Sequence, residues 1–134
     1  MIFIDNIRKP RTEEVWAIVR SMKNPGKMIW VPDLSPTQNL FYQYLKWRDA
    51  GHWNEQTFRR LYVPQFLKEA KANPNFHKFI QQLTQSDHDI SLICFCTDET
   101  LCHRSIVAGI LQGLGANVSA QNDYSHYYEL YRQI

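Results

Sequence analysis

Hydrophobic positions along the chain follow two periods, and their alternation outlines a fold. Ile2-Phe3-Ile4 is a short apolar run closed by Asp5-Asn6, the pattern of an opening strand. Thr12-Glu13-Glu14 has the form of a helix start, and Val15, Trp16, Ile18 and Val19 would form the buried side of a helix over residues 13–22. Asn24-Pro25-Gly26 is a strong turn. It leads to a second buried strand, Met28-Ile29-Trp30-Val31, ended by Pro32-Asp33. Ser35-Pro36 reads as an N-cap with proline at the first helical position. The helix it opens runs through about residue 49, with Leu40, Phe41, Tyr44, Leu45 and Trp47 on its apolar side.

Residues 55–72 are helical in pattern, but Pro64 lacks an N–H and should split or kink the segment. Asn73-Pro74 begins a further helix carrying Phe76, Phe79, Ile80 and Leu83. Ile90 to Cys96 is β-rich and bounded by polar residues, which suits a central strand. Ile106, Val107, Ile110, Leu111 and Leu114 recur with the spacing of a helix with one buried face. A last strand is expected within residues 116–120, and a closing aromatic helix over 124–133. Strands alternating with helices predict a small Rossmann-like, three-layer α/β domain spanning residues 1–134. Its mostly parallel sheet would have about four strands, and residues 35–85 would form an enlarged helical crossover.

At 134 residues the chain can bury a sizeable core without disulfide or metal staples. Its 44% hydrophobic content excludes a disordered or collagen-like polymer. No apolar run approaches the roughly 18 residues of a membrane span. Asp5 interrupts the N-terminal apolar run too early for a signal peptide, so a cytoplasmic location is expected. The net charge of +2 does not announce a nucleic-acid binder. Its distribution is uneven: residues 1–78 balance at +6 and residues 79–134 at −4.

The chemistry concentrates in one turn. Ligands of open α/β sheets gather where strands end and helices begin. Asp5, Asp33 and Cys94–Cys96 all stand at such ends. The third leads into Cys102-His103-Arg104-Ser105, in the first turn of the next helix, where free N–H groups create positive potential. A bound anion would balance the two potentially cationic side chains, and Arg104 offers a two-oxygen fork. Alternatively, Asp98 or Glu99 supplies the negative charge and Arg104 is an internal brace.

Cys102 would be a nucleophile with a lowered pKa if partly exposed, or a small packing residue if not. Neither a Cys-x5-Arg loop nor a Cys-x2-Cys pair is present. Cys94, Cys96, Cys102 and His103 make a poor zinc set, because two members are adjacent and paired knuckles are lacking. No metal and no cofactor is therefore expected.

The segment from Leu92 to Ala108, an apolar strand with Cys94, an acidic loop, then Cys102-His103-Arg104 and an apolar helix, resembles the YeaO-like family, grouped as domain of unknown function 488. Trp30, Asp33-Leu34-Ser35-Pro36, Leu40, Trp53, Phe58, Tyr62 and Phe66 are similar to that family's central helical segment. Ile2 to Pro10 resembles its first strand and basic loop, with Asp5, Arg8 and Arg11 as matches. Many relatives carry an acid where this chain has Cys96. The resemblance implies a small α/β fold and a nucleotide-related ligand.

The function expected from these residues is a phosphate, nucleotide or sugar-phosphate pocket. Arg104, His103 and Ser105 would build it together with Asp5 and Asp33, and Arg8 or Arg11 would reach in. If it is catalytic, it is a hydrolase or transferase site. Asp5 or Asp33 then serves as acid/base, His103 as proton shuttle, Arg104 as charge stabiliser and Cys102 as nucleophile. One rival is a nucleic-acid or protein-binding module using Trp47, Arg48, Trp53, Arg59 and Arg60. Another is a thiol redox or metal sensor, which requires the three cysteines to converge.

Overall fold

The computed structural model describes residues 1–134. Strands β1 (Ile2–Asn6), β2 (Glu14–Ala17), β3 (Ile29–Trp30), β4 (Ile90–Cys94) and β5 (Val118–Ser119) form one sheet in the order β3-β2-β4-β1-β5. Every pairing is parallel, with Ile4 and Trp16 flanking Leu92 at the centre. This is a three-layer α/β fold, as the pattern predicts, with five strands in place of about four.

The added strand is β2, where a helix was expected. Val15 through Val19 are all buried, including Ala17 with no exposure. A helix with one buried face would leave part of that run in water; a central parallel strand buries both sides. Ile2, Ile4, Trp16, Ile18, Ile90 and Leu92 pack into the larger core with the helices. Val15, Ala17, Val19 and Ile93 form the second core, closed by Ile7, Met22 and Met28 from connecting segments. The layer on that face is thus built from connecting segments.

Pro32–Leu34 forms a 3-10 turn, and α1 (Gln38–Asp49) follows. Thr37 caps α1 through Leu40 N–H, whereas Ser35 donates its hydroxyl to Pro32 O, so the helix starts later than Ser35-Pro36 suggests. From Glu55 to Lys71 the backbone stays helical: α2 (Glu55–Thr57), a π-helical turn (Phe58–Tyr62), then α3 (Val63–Lys71). Pro64 cannot donate four residues back, and the widened turn before it accommodates that loss without a break. Helix α4 (Pro74–Thr84) begins at the expected Asn73-Pro74.

A 3-10 turn at Glu99–Leu101 leads into α5 (His103–Gly113), and α6 (His126–Arg132) closes the chain. Residues 103–111 of α5 are all buried, so the helix lies inside the fold rather than on its surface. No helix is long and apolar enough to cross a membrane.

Candidate functional site

The carboxyl ends of β2 and β4 open on a pocket of about 300 Å³. Val19 and Arg20 follow β2; Cys94, Phe95 and Cys96 end and follow β4; Cys102 and His103 begin α5. Phe41, Tyr44 and Arg48 of α1, with Trp53 and Tyr62, form the facing wall. Tyr62 belongs to the π-helical turn, so the distortion ahead of Pro64 also shapes the pocket.

Cys102 occupies the N-cap position of α5 and is only 2% exposed, short of the partial exposure expected of a nucleophile, although it lines the pocket wall. Its neighbour His103 places Nε2 2.5 Å from the Ile18 carbonyl. A carbonyl only accepts, which assigns the ring hydrogen to Nε2 and leaves Nδ1 free, 3.7 Å from Cys102 Sγ. Nδ1 can therefore take the thiol proton while Ile18 holds the ring, the arrangement of an activated nucleophile, its base and an orienting group.

Arg104 is 2% exposed and lies behind the pocket wall. Its Nη1 donates to Asp5 O, and its Nη2 to Cys96 O at 2.9 Å. Its Nε donates to Cys102 Sγ at 3.4 Å. No carboxylate forms an ion pair with it. Asp98 instead caps Thr100, and Glu99 accepts from Gln121 N–H and Tyr124 Oη. A buried guanidinium without an anion is costly. The sulfur of Cys102 is the group placed to answer it.

Cys94, Cys96 and Cys102 bring their sulfurs within 4.8 Å of one another, the convergence on which the sensor reading depends. Burial, the largest influence on Cys102, pushes its pKa up. Thiol hydrogen bonds from Cys94 and Cys96, with the His103 ring, outweigh it and hold the group well below its ordinary value. Donating to Cys102 pushes Cys94 well up and Cys96 up to about 12. Of the three thiols, Cys102 is the one the cluster favours as the anion, and Cys94 and Cys96 are the ones it keeps protonated. Burial, then the neighbouring Cys102, pushes the Tyr62 phenol well above its ordinary value.

The three sulfurs could also close on one soft metal ion. His103 is not placed to complete a four-ligand set, since Nε2 is held by Ile18 O and Nδ1 faces Cys102 itself.

The expected pocket does not gather all its residues. Asp5 is buried with its carboxylate accepting from Arg11 Nε at 2.7 Å, Arg11 N–H at 3.0 Å and Ser91 Oγ at 2.9 Å. It clamps the β1–β2 connection. Arg11, over the Phe3 ring, belongs to that clamp, and Arg8 is exposed away from the pocket lining. Asp33 accepts from Asn73 Nδ2 at 3.1 Å and lines a smaller cavity beside Glu69. Ser105 donates to Cys102 O at 2.8 Å and supports the helix start. The cations that do line the pocket, Arg20 and Arg48, were not singled out for it from sequence. They stand 28 residues apart on separate elements, and only the fold relates them.

Trp47 and Trp53 stack on each other at 6.1 Å and pack against the core. Arg48 faces the thiol pocket, whereas Arg59 lines another cavity with Asp98 and Asp123.

The sheet, the helix N-terminus and the thiol cluster define an α/β protein with a cysteine-centred pocket at the carboxyl ends of parallel strands. Residues 2–115 match the family model described as the active DUF488-N3 subclade. The chain belongs to this family, within the YeaO-like group that its Cys94 to Arg104 segment resembles. Neither the curated proteins nor the solved structures contain a match.

Proposed function

We propose that the chain is a thiol-dependent hydrolase or transferase with Cys102 as nucleophile. The observation that carries this is the buried Arg104, which has no carboxylate partner and points Nε at Cys102 Sγ. The charge that the turn gathers is thereby answered from within by a thiolate. Arg104 acts as a brace and stabilising counter-charge rather than as the ligand's fork. His103 Nδ1 takes the thiol proton and returns it to a leaving group on the pocket side.

The aromatic wall of Tyr44, Trp53 and Tyr62 suits a flat, apolar body, and Arg20 and Arg48 suit a negative group attached to it. A nucleotide or similar small anion has both features.

Two measurements test this. Iodoacetamide at pH 6.5, followed by peptide mapping, should label Cys102 before Cys94 or Cys96. Among nucleotides and sugar phosphates, a compound that raises the melting temperature should also protect Cys102 from labelling. Arg48→Ala should weaken that compound about 10-fold or more, the scale of a lost charged hydrogen bond. Equal labelling of all three cysteines, or a stabilising ligand that leaves Cys102 unprotected, would overturn the proposal.

A further inference from the structure

Cys96 supports the Cys102 sulfur but undergoes no reaction in the chemistry above, yet its own sulfur lies within 4.8 Å of the Cys102 sulfur and lines the same pocket. We infer that the pocket is also a peroxide-oxidised dithiol site, in which Cys102 is oxidised first and Cys96 resolves it as a disulfide. The inference rests on the Cys102 thiolate proposed above and adds a second reaction of that sulfur.

Position separates the two neighbouring thiols. Cys94 is the last residue of β4, is 4% exposed, and pairs in register with Asn6. Its backbone carbonyl also accepts from Ile7 N–H at 3.2 Å, so the residue is pinned at the strand end. Cys96 lies two residues beyond, outside regular structure and only partly buried. Its sulfur can turn about χ1 without disturbing a strand. Arg104 aligns the pair: Nη2 holds Cys96 O at 2.9 Å while Nε holds Cys102 Sγ at 3.4 Å. One guanidinium therefore positions the backbone of one cysteine and the sulfur of the other.

The oxidant is a hydroperoxide, and hydrogen peroxide is the simplest. The Cys102 thiolate attacks one peroxide oxygen and the O–O bond breaks. Cys102 becomes a sulfenic acid, oxidised by two electrons, and the second oxygen leaves as hydroxide and becomes water with the proton that His103 Nδ1 took from the Cys102 thiol. Cys96 sulfur then attacks Cys102 sulfur. The S–S bond forms, the S–O bond breaks, and the departing hydroxide takes the Cys96 thiol proton as a second water. Overall, two thiols and one peroxide give one disulfide and two waters.

Wild-type protein treated with an equivalent of hydrogen peroxide should fall from three free thiols to one. Peptide mapping should show a Cys96–Cys102 link that dithiothreitol reverses. Cys94→Ser should still form the link. Cys96→Ser should form no disulfide and should give a dimedone adduct at Cys102. A Cys94–Cys102 link, a dimedone adduct at Cys96 in Cys102→Ser as abundant as that at Cys102 in Cys96→Ser, or retention of all three thiols would overturn the inference. Selective iodoacetamide labelling of Cys102 with no peroxide-driven thiol loss defeats this inference alone. A Cys96–Cys102 link in a protein whose ligands leave Cys102 unprotected defeats the proposed function alone.

Discussion

Replacing Arg104 with alanine separates a brace from a ligand-binding arginine. The substitution removes the donors to Asp5 O, Cys96 O and Cys102 Sγ from a site 2% exposed to solvent. Hydrogen bonds from a charged donor contribute about 1.5–3 kcal/mol each. Cys96 O keeps its bond from Asn6 Nδ2 at 3.0 Å, so its loss is partial. The two bonds lost outright then cost about 3–6 kcal/mol, a large share of the 5–15 kcal/mol typical of a whole domain. For 134 residues the entropy of unfolding is about 0.28 kcal/mol per kelvin, which converts that cost to a fall in melting temperature of about 10–20 °C. Differential scanning calorimetry and urea unfolding measure it directly. Arg104→Lys should recover only part, because one ammonium cannot reach three acceptors held by a planar fork. Where Arg104→Ala remains folded, iodoacetamide should react with Cys102 more slowly at pH 6.5, since the counter-charge is gone. A melting temperature within 2 °C of wild type, with Cys102 reactivity unchanged, would refute the reasoning and return Arg104 to the ligand.

Asp5→Ala should destabilise the fold by about 2–4 kcal/mol in urea unfolding while leaving Cys102 labelling unchanged, because its carboxylate serves the Arg11–Ser91 clamp. Gly109→Ala would ordinarily gain about 1 kcal/mol in a helix, but the new Cβ would lie 2.0 Å from Tyr124 O, so net destabilisation of about 2 kcal/mol is expected by the same assay. His88 bonds to Asp87 and Glu14, which raise its pKa above 6.5 in that order of influence. The stabilisation is complete below pH 6.5 and is lost as pH rises through the raised value, so an NMR titration should show His88 moving toward the ordinary value in Glu14→Gln.

Local sequence carried the fold class a long way. The run Ile90 to Cys94 and the Asn73-Pro74 start need no distant partner to be recognised, because strand alternation and helix capping are short-range properties. The same holds for the Cys102-His103-Arg104 turn at a helix N-terminus. Residues 13–19 show where that ceases. Helical spacing and a doubly buried strand use the same apolar residues, and pairing with Ile90 to Ile93 decided for the strand. Arg104 had the same dependence on context. Its type and position announce a charge to be balanced, but Asp98 and Glu99, the acids nearest in sequence, turn to other partners. Folding brings Cys102 to its Nε, Asp5 O to its Nη1 and two further thiols within 4.8 Å of one sulfur. Which acceptor meets a buried donor, and hence whether a cysteine is inert packing or a thiolate, depends on contacts between segments far apart in the chain; only the tertiary structure sets those.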